Sequence, residues 1–174
     1  MSGVPGTVQL LRERHHRWDD PAVSAAAAGE RDGLAFLRAM LAGELPGPPI
    51  AATLDFRLRH VEPGRVVFEL EPAEYHYNPI GSVHGGVYAT LLDSATGCAV
   101  HSMLPAGARY TSLDLSVKFL RAVRADTGPL TCEGTVTHLG SRTALAQARL
   151  TGPDGRLYAH ATSSLMIFRS GVAA

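Results

Sequence analysis

Between Asn78 and Asp93 the chain runs Asn-Pro-Ile-Gly-Ser-Val-His-Gly-Gly and then, nine positions past His84, places a single carboxylate. The second half of that window is otherwise apolar or small, so Asp93 stands alone. A lone carboxylate in an apolar helix is costly to bury and marks either a pairing role or chemistry. Chemistry is the expectation here, because an ionised carboxylate can act as a general base toward water or as a nucleophile. Gly85 and Gly86 fall where a helix should begin and would let a ligand approach the backbone closely. First-turn N–H groups lack intrahelical partners and sit at the positive end of the helix dipole. Such a start can hold an oxygen that gains negative charge, with no charged side chain needed.

The elements that must position these groups follow from periodicity. Residues 1–50 read as a helical N-terminal extension. Asp20-Pro21 caps a short helix through Ala25 to Ala28 that ends at Gly29. Asp32 caps a second, in which Leu34, Leu37 and Leu41 keep helical spacing beside Phe36 and Met40, closed by Gly43 and Pro46 to Pro49. From Ala51 the period becomes two. Leu54, Phe56 and Leu58 alternate with charged residues, and after Glu62-Pro63-Gly64 so do Val66, Phe68 and Leu70, which predicts a hairpin with one wet face. A helix follows over about Gly85 to His101. The clearest strand comes next, with Leu113, Leu115, Val117 and Phe119 on one face and Ser112, Asp114, Ser116 and Lys118 on the other. Turns at Asp126 to Pro129, Gly140-Ser141 and Pro153 to Gly155 then separate strands over about 130–138, 142–151 and 156–168. Short links favour antiparallel neighbours, and the sheet's apolar face needs cover. Only the central helix is long enough to give it. The expected class is α+β, an antiparallel sheet wrapped around one long helix over residues 51–170.

Bulk properties exclude several functions. A length of 174 residues suits one domain with an appendage. Sixteen basic and sixteen acidic residues cancel, so no nucleic-acid or membrane-surface footprint is expected. Cys98 and Cys132 lie far apart without ligand spacing, as in a cytoplasmic protein with reduced thiols. Met1 to Asp20 is rich in Arg and His and has no apolar run typical of a secretory signal. Val87 to Val100 is too short to span a bilayer. His15-His16 and Tyr75-His76-Tyr77 suggest a metal or a stacking role, but no two histidines stand four apart, so neither metal nor cofactor is expected. A Gly-x-Ser-x-Gly elbow and glycine-rich nucleotide loops are absent.

The order of elements, with Asn-Pro-x-Gly-x-x-His-Gly-Gly opening the helix and the acid nine positions on, resembles the hotdog-fold acyl-CoA thioesterases, most closely the phenylacetic acid degradation (PaaI-like) group. The resemblance covers roughly Ala51 to Phe168. It implies that the Gly85 N–H polarises a thioester carbonyl, that Asn78 holds the carbonyl or an attacking group, and that His84 shapes the loop and assists. Asp93 would then activate water or attack the thioester, and both routes stay open. Ser112 matches the serine that orients the attacking water in relatives. Some other hotdog thioesterases carry a threonine one turn after the acid, where this chain has Gly97, which shifts water holding onto Ser112. The resemblance further implies that Gly86, Arg121, Arg124 and the turn Gly140-Ser141-Arg142 meet coenzyme A, the thiol half of the substrate, or a phosphopantetheine carrier in its place. Tyr77, Ile80, Tyr88 and Leu92 are candidates for the acyl pocket. Each residue also has a plainer role open to it: Asn78-Pro79 as a turn, His84 as a loop hydrogen bond, Ser112 as an exposed strand serine, the arginines as solvated surface.

Nine residues of helix advance about 13 Å and rotate about 900°, which is expected to leave Gly85 and Asp93 on opposite faces. Reacting groups must converge to roughly 3–3.5 Å. Two antiparallel copies of the helix can satisfy both conditions, so an obligate homodimer with composite sites is expected, and the resemblance adds a dimer of dimers. Two alternatives remain: a hydratase or dehydratase acting on enoyl-CoA, and a non-catalytic acyl-CoA-binding module. Hydration without thiol release would mark the first, and tight binding without turnover the second.

Overall fold

A computed structural model describes residues 11–169. The first ten residues of the Arg- and His-rich start, and position 170 at the end of the expected domain, lie outside them. Three helices lead in: α1 (Pro21–Glu30), α2 (Gly33–Leu41) and α3 (Pro49–Leu54). The hairpin β1 (Phe56–Glu62) and β2 (Arg65–Leu70) follows, then α4 (Gly85–His101) and five strands. These are β3 (Arg109–Ser112), β4 (Ser116–Phe119), β5 (Leu130–Leu139), β6 (Thr143–Thr151) and β7 (Leu157–Phe168).

Local chemistry accounts for most boundaries. The Asp20 side chain accepts from the Ala22 N–H at 2.9 Å and Asp32 accepts from the Ala35 N–H at 2.8 Å, so both caps form. Helix α1 continues one residue past Gly29, to Glu30. Gly64 takes φ +76° in the hairpin turn, a conformation open to glycine.

The sheet order is β1-β2-β5-β6-β7-β3, with β4 also paired to β7, and every pairing is antiparallel. Its concave face wraps α4, as expected. Leu91, Leu92, Ala95 and Ala99 of the helix pack with Val66, Leu70, Leu130, Cys132, Ala148 and Ala161 of the sheet, all buried. Small residues at the centre of the sheet let the helix sit close. A Cβ on Gly134 would lie 2.1 Å from the Ala95 carbonyl oxygen, so that strand position accepts only glycine beneath α4.

Two expectations are corrected. Leu54 does not begin a strand. Pro48 and Pro49 start α3 rather than closing the extension, because proline is tolerated in a first helical turn where its missing N–H has no partner. Helix α3 ends at Asp55, whose φ of 56° is left-handed. The regular strand over 112–119 is likewise broken into β3 and β4. Asp114 interrupts the ladder: its side chain accepts the Ser164 N–H at 3.1 Å and its carbonyl accepts from Ser163 Oγ at 2.8 Å. Leu113 and Phe119 are more than half exposed, since this is the free edge of the sheet.

Candidate active site

The loop before α4 is closed by Asn78. Its side-chain oxygen accepts the N–H groups of Ile80 (3.0 Å) and Ser82 (3.2 Å), and its amide nitrogen donates to Ser82 Oγ at 3.0 Å. The backbone N–H of Asn78 donates to the Ser82 carbonyl at 2.7 Å, and Gly81 turns the chain at φ +85°. Asn78 therefore holds the loop, with one amide N–H still open. His76 anchors the segment from below. Its Nδ1 accepts the Ala73 N–H at 3.0 Å, so Nε2 carries the proton and donates to the Leu54 carbonyl at 2.8 Å. Burial lowers the His76 pKa, partly offset by that bond to Leu54.

His84 is the N-cap of α4. Its Nδ1 accepts the Gly86 N–H at 2.9 Å and its carbonyl accepts the Val87 N–H at 2.9 Å. This engages Gly86, so that N–H is not free for a ligand. The Gly85 N–H is left without a hydrogen-bond partner among the described residues. It opens on a cleft of about 380 Å³ lined by Tyr88, Phe119 and Arg121. The Phe119 ring stands over Gly85, where a Cβ would come within 3.2 Å of it, and meets Tyr88 edge-on at 5.6 Å.

Asp93 is exposed on the next part of the helix and accepts a hydrogen bond from Ser112 Oγ at 2.9 Å. The pair stands at the edge of a separate, largely apolar cavity of about 430 Å³. Leu37, Met40 and Ala51 of the extension, Phe56 and Phe68 of the hairpin, and Tyr110 of β3 form much of its wall. Cys98, also on that wall, has its thiol pushed up to about 12, by burial first and then by the Asp93 charge, which makes it a poor nucleophile.

Gly85 and Asp93 are eight steps apart, not nine, which is about 12 Å of rise and a net turn of about 80°. They are not on opposite faces. Axial distance is what separates them, and within one chain they open on different cavities. The other candidates scatter. Ile80 is 87% exposed, Leu92 is fully buried, and the Tyr77 hydroxyl accepts the Ala125 N–H at 2.8 Å. Of that acyl-pocket set, Tyr88 lines the cavity at Gly85, where its hydroxyl also accepts the Val123 N–H at 2.8 Å. The Arg121 guanidinium donates to the Leu157 carbonyl beside Gly85, while the Arg124 N–H donates to Thr127 Oγ1 at 2.9 Å. The Gly140-Ser141-Arg142 turn lies at the far end of β7: Arg121 bonds Tyr158, and Arg142 bonds Ile167. Nine strand residues between those points span roughly 30 Å, so one protomer does not gather these groups around one ligand.

The cavity beside Asp93 is what sequence reasoning missed. Tyr110 is two residues before Ser112 on the same strand, so strand alternation places both on one face. Gly97, one turn after the acid, was the other signal. A Cβ there would lie 3.1 Å from the Tyr110 hydroxyl oxygen, so the small residue makes room for the tyrosine. No group of three or more His, Cys, Asp or Glu that could hold a metal occurs among the described residues. Among them too, no helix is long and apolar enough to cross a membrane.

Comparison with known proteins places this arrangement. Residues 80–159 match the family model of the thioesterase superfamily. A Saccharolobus solfataricus protein that bears an esterase name is 31% identical over 121 residues, 70% of this chain and 84% of that protein. A Halobacterium salinarum protein, also bearing an esterase name, is 40% identical over 75 residues, but the match spans 42% of this chain and only 48% of that relative's length. Among solved structures, a phenylacetic acid degradation-related protein from Ralstonia eutropha JMP134 superposes with a TM-score of 0.68 at 32% identity, covering 75% of this chain and 98% of that one. A thioesterase protein from Streptococcus pneumoniae TIGR4, solved with coenzyme A, gives 0.60 at 28% identity over 66% and 88%. A helix-wrapping antiparallel sheet, a capped glycine start and a serine-paired acid thus coincide with similarity over most of the domain, and the chain belongs to the thioesterase superfamily with its hotdog fold.

Proposed function

We propose that the protein hydrolyses acyl-CoA thioesters, water and thioester giving a carboxylic acid and free coenzyme A. The observation that carries this reading is Asp93: an exposed carboxylate, oriented by one hydrogen bond from Ser112, at the mouth of an apolar cavity. Asp93 either withdraws a proton from the attacking water, with Ser112 fixing that water, or attacks the thioester carbon itself. The open Gly85 N–H at the start of the same helix suits the carbonyl oxygen as it gains charge. Helix geometry keeps these two groups about 12 Å apart in one chain, so the reading requires two copies, each giving one half of each site. The exposed edge at Leu113, Phe119 and Leu120 offers an apolar surface for such a pairing. Coenzyme A as the thiol half is supported by the solved relative that carries it. Both cysteines are free, in keeping with a reducing, cytoplasmic setting.

The test is release of free thiol by the purified protein from short, medium, long and aromatic acyl-CoAs. Turnover of at least one class, lost in Asp93→Asn, is the expected result. Full activity in that variant would remove Asp93 from the mechanism, and hydration of an enoyl-CoA without thiol release would replace the reaction.

A further inference from the structure

Resting on that reaction, we propose that Tyr110 sets the acyl specificity: the cavity beside Asp93 receives a medium-length acyl group bearing an oxo or hydroxyl group on the carbon about four or five bonds from the thioester carbon, and the Tyr110 hydroxyl holds that group's oxygen. The cavity has walls from both parts of the chain. Leu37 and Met40 of α2 and Ala51 of α3 close its outer side, so the pocket is bounded rather than an open groove. Its volume of about 430 Å³ exceeds the roughly 150 Å³ that suffices for a benzene ring. Acyl groups well beyond acetyl therefore fit.

Much of that wall is hydrocarbon; besides Asp93, its polar lining is Arg57, Ser94 (bonded to the Thr90 carbonyl), Ser112 (bonded to Asp93), the Cys98 thiol and the Tyr110 hydroxyl. Tyr110 makes no side-chain hydrogen bond to any of the described residues and faces the cavity half-buried. Its ring is fixed by contact with His101 (centroids 5.4 Å apart), and its hydroxyl lies against Gly97. Burial raises the tyrosine pKa, with lesser contributions from Cys98 and Asp93, so the hydroxyl stays protonated and able to donate. A protonated phenol with no bond to the protein on a largely apolar wall is free to donate to a ligand oxygen that enters the cavity. Gly97 is one helical turn beyond Asp93, a rise of about 6 Å. At about 1.5 Å per bond, and less along a zigzag chain, that distance corresponds to the fourth or fifth bond past the reacting carbon.

The experiment compares kcat/KM for octanoyl-CoA, 5-oxooctanoyl-CoA and 6-oxooctanoyl-CoA in the wild type and in Tyr110→Phe, which keeps the ring and removes the hydroxyl. The wild type is expected to favour one of the oxo substrates on the order of tenfold, and the ratio should fall to about one in Tyr110→Phe. An unchanged ratio in the variant, or no preference in the wild type while octanoyl-CoA is hydrolysed, overturns the specificity assignment and leaves the thioesterase reading standing. Failure to hydrolyse any of the three while another acyl-CoA class is turned over overturns the specificity assignment alone; failure across every class overturns both. Should Tyr110→Phe not fold, the wild type decides alone. With 3-hydroxyoctanoyl-CoA, whose oxygen falls short of the hydroxyl, the preference should vanish; a preference that persists there overturns the assignment.

Discussion

Asp93 has one hydrogen-bond donor from the protein, Ser112, and otherwise faces the cavity and solvent. Its two proposed roles depend on charge, so Asp93→Asn, nearly the same shape, should lower kcat by about 10²–10⁴-fold, as removal of a general base does. Ser112→Ala leaves the carboxylate in place and removes only its orienting bond. We expect a smaller fall in kcat for Ser112→Ala with KM little changed, measured by the same thiol-release assay. His84 acts differently. Its Nδ1 is engaged with Gly86, which shapes the helix start and leaves the Gly85 N–H open for the proposed reaction. Much of this was legible in the sequence, because the cap, the glycines and the acid are close in the chain. The tyrosine in the same cavity was not, because alternation with Ser112 gives its face but only the passage of β3 across Gly97 gives its neighbour.

Helix α4 approaches the sheet at Gly134, where even a methyl group would collide with the Ala95 carbonyl. Backbone cannot yield as a side chain can, so Gly134→Ala must push the helix outward. The expected cost is about 1–3 kcal/mol, the usual range for overpacking, seen as a lower urea midpoint, with activity falling as the Asp93–Ser112 distance opens. At this scale the alternation of β6, with Ala144, Ala146, Ala148 and Leu150 all buried, matched its sequence pattern because both faces have a fixed environment. The run from Ser112 to Phe119 alternates just as well, yet forms two short strands with exposed apolar residues. Alternation reports two unlike faces but not what covers them: Leu115 and Val117 pack against the core while Leu113 and Phe119 stay more than half exposed. Helix α3 escaped notice for another reason: six residues after a proline cluster are too few to establish a period.

For the whole molecule, two buried histidines set the acid limit. Burial lowers the pKa of His76 and of His101, whose Nε2 is buried without a partner. Both fold as neutral rings, and the unfolded chain binds more protons below the ordinary histidine value of about 6.5. Their contribution is thus complete above that value and is lost as pH falls toward the lowered folded values. Melting temperatures recorded from pH 8 to pH 5 should decline below about pH 6.5, and less steeply in His101→Phe. Assembly gives a separate prediction. Co-refolding Asn78→Ala with Asp93→Asn protomers places both defects in the same site of each mixed dimer and leaves the other intact, so about a quarter of all sites should recover if the pair is two-fold symmetric. No recovery would count against shared sites. A last consequence comes from the clasp between extension and domain, where the Gly33 N–H donates to the Leu104 carbonyl at 2.9 Å and a Cβ on Gly33 would overlap the backbone of His101. The leading helices are bolted to the far end of α4, so on the proposed reading shortening or exchanging them should alter which tails are admitted without touching a reacting atom. On that reading, substrate range would drift through Leu37, Met40 and their helices while Asp93 and Ser112 stay fixed.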